Sequence, residues 1–443
     1  MRLSESALGG SGMASEWRTK NLRDAGIQLI DCDHRTPSAI EGGYPYIAIP
    51  QLKDGRIELG DVRRISKADY EDWTRKLKPR EHDVVVVRRC SSGDSAVVPR
   101  GLECAIGQNL VVLRSDGTHI SPGFLRWIVR SAEWWEQVRK FMNVGAVFNS
   151  LKCKDIPNFE VVVPPLDAQR EITILLTGLD DRIVLLRQTS ATLQAIAKAL
   201  FKSWFVDFDP VRAKAEGRDP DGVPADVAEL LPREFEDSEL GATPKGWIVA
   251  SLDSIAEFLN GLAMQKFPVE NEAEWLPVIK IAQLRKGDTE GADRASLRVP
   301  SEYVIQDGDV LFSWSGSLEV EIWCGGVGGL NQHLFKVTSK QFPKWFYYLW
   351  TKVHLPSFRE TAAHKATTMG HIQRCHLAEA KVVIPSEKLM RALSEIFAPL
   401  IQRAWECRLE ARTLATLRDT LLPRLMSGKL RIPSAVSELE STS

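Results

Sequence analysis

The chain repeats itself. Residues 161–204 align with residues 382–425 at a constant shift of 221 positions, without a gap. Val163-Pro164 falls on Ile384-Pro385. Behind that punctuation Ile172 falls on Leu393, Leu175 on Ile396, Leu179 on Leu400, Ile183 on Ala404 and Leu186 on Cys407. Leu193 then falls on Leu414, Leu200 on Leu421 and Trp204 on Leu425. A fixed shift held over so long a stretch marks an internal duplication, which restricts the chain to folds made of two similar halves. Such a protein usually does one thing at two places.

The repeat continues upstream with small changes of length. Pro45-Tyr46-Ile47 followed by Gln51-Leu52-Lys53 resembles Pro277-Val278-Ile279 followed by Gln283-Leu284-Arg285. Asp83-Val84-Val85 resembles Asp309-Val310-Leu311, and Gln108-Asn109-Leu110 resembles Gln332-His333-Leu334. Trp17 and Leu22 match Trp247 and Leu252. Each half is therefore a globular unit followed by one long helix, and the globular parts have drifted further than the helices. Val84–Val87 and Leu110–Leu113 read as buried strands. Phe124–Phe141 reads as one helix, with Lys344–Val353 its counterpart. The fold class is α+β or mixed α/β.

In the first long helix Ile172, Leu175 and Leu179 are spaced by three and four, and a step of four leads to Ile183. Leu186, Ser190, Leu193, Ala197, Leu200 and Trp204 continue the alternation as a coiled-coil seam. The extra step is a stutter, which relaxes a supercoil locally. Leu400 to Ala404 repeats it in the second helix, so the two can pair in register. Leu393, Ile396, Leu400, Cys407, Leu414 and Leu421 form the second seam. At ~1.5 Å per residue such a helix is a rod of roughly 60 Å. Pro399 should bend or break the first part of the second helix. Pro423 should help to end it, with Gly428 just beyond.

Charge is unevenly placed along a nearly neutral chain. Residues 17–165 hold 23 Lys and Arg against 19 Asp and Glu, whereas residues 207–245 hold 5 against 11. The acidic stretch is rich in Pro, Gly and Asp and reads as the connector between halves. No apolar run is long enough to span a bilayer. The seven cysteines are scattered and none forms C-x-x-C, which suits free thiols in a reducing cytoplasm rather than a zinc site. There is no G-x-x-x-x-G-K-[ST] loop, no G-x-S-x-G elbow, no H-E-x-x-H and no Asn-Pro-Pro-aromatic motif. The glycines of Gly325–Gly329 read as a turn or bulge. Catalytic constellations are mostly absent.

Residues 164–214 carry a resemblance to the central region of type I restriction–modification specificity subunits. The matching pieces are Pro164, Pro165, Leu166, Gln169 and Arg170 at the start, Leu179 to Ile183 in the middle, and Ala199 to Pro210 at the end. Asp31–Pro37, Gly107–Arg114, Asn143–Phe159 and Leu421–Ile432 are similar to further parts of that family. The second copy departs at Ser386-Glu387-Lys388, Met390 and Arg391. The resemblance implies a non-catalytic reader of double-stranded DNA in the cytoplasm. Two target-recognition domains would each read half of an interrupted sequence, and two long antiparallel helices would set the gap. Two methyltransferase subunits would dock on the chain and supply S-adenosylmethionine chemistry. Restriction–translocase subunits would bring ATP, Mg2+ and cleavage, leaving this chain with no cofactor or metal of its own. The expected layout is a disordered extension at 1–16, a first recognition domain at 17–165 and a first spacer helix at 166–206. The connector follows at 207–245, then a second domain at 246–385, a second helix at 386–428 and a tail at 429–443.

Base readout needs Arg, Lys, Asn, Gln or Ser on loops that reach a groove. In the first unit the candidates are His34, Arg35 and Thr36, the loop with Arg88, Arg89 and Ser91, and Asn149 with Ser150. In the second they are Ser313, Trp314 and Ser315, which follow a strand at the matching place, and Lys365, Thr367, Thr368 and His371. Two alternatives remain open at this point. One is a divergent catalytic DNA methyltransferase subunit; the other is a scaffold that pairs partners and reads no sequence.

Overall fold

The computed structural model describes residues 17–33, 35–144, 149–364 and 370–432. The 1–16 extension, His34, Lys365, Thr367, Thr368 and most of the 429–443 tail lie outside them. The chain divides into two compact units. One comprises residues 1–182 with 414–443, and the other residues 183–413. The division cuts through both long helices rather than at their ends.

The first unit is built on a six-stranded sheet in the order Ile27–Asp31, Leu110–Ser115, Val84–Val87, Ser95–Val97, Gly55–Ile57, Leu52–Lys53. Val84 to Val87 are all sealed from solvent, as a strand covered on both faces requires. A second sheet sets Tyr44–Ile47 between Arg63–Ile65 and Ala105–Ile106, the latter pairing parallel. An antiparallel ribbon of Arg18–Asn21 with Glu160–Val163 brings the ends of the globular part together and feeds the first long helix.

The second unit repeats this plan. Its main sheet runs Glu257–Asn260, Leu334–Thr338, Val310–Ser313, Val320–Ile322. Leu276–Ile279 lies between Arg294–Ala295 and the parallel Gly328–Leu330, so the glycine run is a bend at 325–327 that leads into a strand. The closing ribbon pairs Ile248–Ser251 with Lys381–Ile384. Arg18 faces Val163 and Ile248 faces Ile384, the same register at the shift read from the sequence. The mixed α/β class and the internal repeat therefore hold at the level of strand order.

The long helices run Leu166–Phe201 and Glu387–Met426. In the first unit Ile172, Leu176 and Leu179 share a core with Leu421, Leu425 and Met426. In the second unit Ala197 and Phe201 share one with Leu389, Leu393 and Phe397. The start of one helix thus meets the end of the other in each unit, so the pair is antiparallel. Ile183, Leu186, Ser190, Trp204, Cys407 and Leu421 are also buried. Leu175, Leu193, Leu200, Ile396, Leu400 and Leu414 are only half-buried. Leu176, Phe397 and Ile401 take the innermost places beside them. The apolar stripe is wider than a two-stranded seam because each helix also packs against a globular part.

Three expectations are corrected. Pro399 does not break the second helix; its ring faces solvent while Phe397 and Ile401 anchor the opposite face. That packing outweighs the one backbone hydrogen bond the proline removes. Pro423 lies within the last turns, and termination falls at Gly428, whose φ of +69° is the left-handed conformation glycine tolerates. Phe124–Phe141 is two helices, Pro122–Ile128 and Ala132–Phe141, because the Ser131 hydroxyl caps the second by accepting from Trp134 N at 3.2 Å. Its counterpart is a single helix, Lys344–His364. The acidic connector is itself folded: Phe208, Val211, Val227 and Leu231 join the second unit's core with Trp247.

Candidate nucleic-acid interface

Strand ends bring the candidate loops of the first unit together. Val87 pairs with Leu110, so the residues after one strand lie beside those before the other. Arg88 N donates to Asn109 O at 2.8 Å. Cys90 N donates to Asn149 O at 3.1 Å, and Arg89 bridges to Ser150. The Tyr46 hydroxyl accepts from Gln108 N at 3.2 Å and donates to Arg35 O at 3.1 Å. Segments 35–36, 88–91, 108–109 and 149–150 therefore converge at one end of the sheet. Arg35, Thr36, Arg89, Ser91, Gln108 and Asn149 are exposed there, while Arg88 and Ser150 are half-buried.

Arg35 is held in place by its own charge partners. Its guanidinium reaches Asp33 at 2.9 Å and Asp72 at 2.8 Å and lies 4.4 Å from the Trp73 ring centroid. Hydrogen bonds from Lys76 and Arg35 hold the Asp33 carboxyl below its usual range. One edge of the guanidinium is thereby occupied, which fixes its orientation.

The second unit builds the same junction from different residues. Gly316 N donates to Gly370 O at 2.8 Å, Ile372 N to Trp314 O at 2.9 Å, and Ser315 bridges to His371. Trp314 N donates to His333 O at 3.3 Å, the bond that Arg88 makes to Asn109 in the first unit. Trp314 is half-buried and its indole N–H donates to Asn260 Oδ1 at 2.8 Å. The rings of His333 and His371 lie 5.9 and 6.3 Å from it. Ser315 Oγ is 3.0 Å from His333 Nδ1. Ser313 is wholly enclosed, and its hydroxyl donates to Ser317 O and accepts from Glu319 N, both at 2.7 Å. It holds the turn. The first junction is thus cationic, and the second is aromatic with two imidazoles.

Backbone conformation matches as well. Cys90 has φ +71° and Gly316, at the same place in the repeat, has φ +63°. Gln108, Asn109, Gln332, His333 and Asn260 were missed as site residues. The repeated Gln was the signal available in the sequence.

Helix and globular part are locked by polar groups that the family-like motif supplies. Gln169 is completely buried; its Oε1 accepts from Ser121 N at 2.8 Å, and its Nε2 donates to His119 O and Pro164 O, both at 2.7 Å. Asp180 pairs with Arg126, Arg130 and Arg418. Burial pushes the Arg126 guanidinium down to about 10, against the pull of Asp180. Among the described residues no group of three or more His, Cys, Asp or Glu is placed to hold a metal ion, and no helix is long and apolar enough to cross a membrane.

The architecture is that of a paired-helix protein with a loop junction built twice. The sequence profile of the type I restriction modification DNA specificity domain matches residues 15–195. The HindI specificity subunit of Haemophilus influenzae is 23% identical over 372 residues, covering 73% of this chain and 81% of its own. The MjaIX specificity subunit of Methanocaldococcus jannaschii is 23% identical over 433 residues, 94% of each chain. The crystal structure of the type I restriction–modification S subunit from M. genitalium shares the fold, with a TM-score of 0.57 over 94% of this chain and 97% of that one, at 14% identity. Residues 15–195 thus carry the type I restriction modification DNA specificity domain, and the chain as a whole is similar to type I restriction enzyme specificity subunits.

Proposed function

We propose that this chain is the DNA-reading subunit of a type I restriction–modification complex, with each unit reading one half of an interrupted target. One observation carries this reading. The same junction of loops is built twice on the same backbone bridges, Arg89 to Ser150 and Ser315 to His371, with different side chains presented. A duplicated frame with unlike contacts suits recognition of two unlike half-sites. A scaffold that read no sequence would have no use for the difference.

The long helices fix the gap between the half-sites and carry two methyltransferase subunits. Ile174, Leu185 and Ile196 are exposed along the first helix at eleven-residue spacing, about three turns, which gives an apolar stripe for such a partner. Methyl transfer from S-adenosylmethionine belongs to those partners. ATP, Mg2+ and cleavage belong to restriction–translocase subunits where the complex includes them. The chain itself works as a cytoplasmic, non-catalytic component.

The test is binding by the full chain purified with its methyltransferase partner. A footprint on an interrupted sequence, with no methylation by the chain alone, supports the reading. Equal affinity for all duplexes, or methylation by the isolated chain, would refute it.

A further inference from the structure

The duplication provides a second sequence against which each loop residue can be weighed. Polar residues standing at the same place in both units separate by what their side chains do. Gln51 and Gln283 turn back to accept from Ala48 N at 3.1 Å and Lys280 N at 3.3 Å. Asp83 and Asp309 accept from Arg80 N and Gln306 N, both at 2.8 Å. Those four serve the turns they sit in.

Gln108 and Gln332 do not. Gln108 is exposed, and its side-chain amide makes no hydrogen bond among the described residues. The Gln332 amide reaches only the ring of the next residue, His333 Nε2 at 3.3 Å. Yet the backbone under both is pinned. Gln108 N is held by the Tyr46 hydroxyl, and residues 109 and 333 accept from Arg88 N and Trp314 N. Both glutamines stand within the junctions proposed to read DNA. A residue retained in both copies, positioned by its backbone and with a side chain that serves no turn of its own, is placed for something outside the protein.

We propose that Gln108 and Gln332 are the base-reading residues the two units share, each taking an adenine in the major groove. The chemistry selects the ligand. A neutral amide offers one acceptor and donors side by side, which matches the N6–H and N7 of adenine. A phosphate would use only the donors and gain nothing from the carbonyl. The two half-sites then share an adenine at the matching position. They diverge where the frame carries unlike residues: Arg89 against Ser315, Asn149 against Gly370, Ser150 against His371. This inference rests on the DNA-reading function proposed above.

The experiment is methylome sequencing of a host expressing the full chain with its methyltransferase partner, as wild type, Gln108→Ala, Gln332→Ala and Gln108→Glu. Each alanine variant should lose discrimination at one A·T pair, in one half only, by roughly ten- to hundred-fold. Gln108→Glu should favour cytosine at that position, because a carboxylate accepts from its N4 amino group. Melting temperatures should stay at the wild-type value. Alanine variants that fold normally and keep full discrimination, or relax several positions together, would overturn the assignment. Both those results leave a bipartite wild-type motif intact; a wild-type complex with no bipartite motif would instead overturn the DNA-reading function itself.

Discussion

Asp180 and Arg418, 238 positions apart, form an ion pair with only 3% and 11% of their side chains exposed. Arg126 and Arg130 share the same carboxylate. One acid on the first helix therefore compensates cations from the first globular part and from the second helix. Such a cluster adds little net stability when intact, but removing one partner leaves buried charge uncompensated. Asp180→Ala should cost about 3–5 kcal/mol. Urea unfolding of the full chain checks this; a loss below 1 kcal/mol would show that the arginines find water.

Cys90 and Gly316 make the opposite choice at the same left-handed position. A residue with a Cβ is strained there, whereas glycine is not. Cys90→Gly should stabilise the first unit by about 0.5–1 kcal/mol after glycine's larger chain entropy is subtracted. Gly316→Ala should destabilise the second by about 1–2 kcal/mol. Denaturant melts of both variants decide it, and equal signs would contradict the shared geometry.

His354 predicts a pH effect. Burial beside Trp350 and Phe358 lowers its pKa below the usual value near 6.5, opposed by its hydrogen bond to Lys381 O at 2.8 Å. The folded state holds it neutral, so the unfolded chain takes the proton first. Stability contributed by this group is present above pH 6.5 and is lost as pH falls below it. His354→Gln should flatten that part of a melting-temperature profile, provided the profile is recorded at fixed ionic strength.

Much of the frame was legible in the sequence because a repeat exposes what both copies need. The matches of Val163 with Ile384 and of Gln51 with Gln283 mark positions that both copies keep, and the structure shows them to lie in the closing ribbons and in two turns. The innermost helix positions were less legible. Leu176 and Phe397 are core because globular parts pack beside the helices, which a heptad cannot announce. The Asp180 cluster was invisible because Arg126 and Arg130 come from one distant stretch and Arg418 from another. The junctions were half legible: loops after matching strands could be named, but Ser313 turned out to be enclosed. Exposure of a serine depends on how its own turn closes.

Gln169 shows what a family-like motif residue does physically. Gln169→Met copies the second repeat, which has Met390 at that place. It would leave Ser121 N and the carbonyls of His119 and Pro164 unpaired, at a cost of about 2–4 kcal/mol. A melt shows whether the helix start tolerates the exchange; an unchanged transition would mean that water replaces the amide.

The central claim is that two separable readers sit on one frame. The most direct measurement is the methylated motif of a host carrying this chain with residues 17–160 exchanged for those of a relative. One half of the bipartite motif should change, and the other half and the gap should stay. A motif altered in both halves, or in neither, would contradict the account.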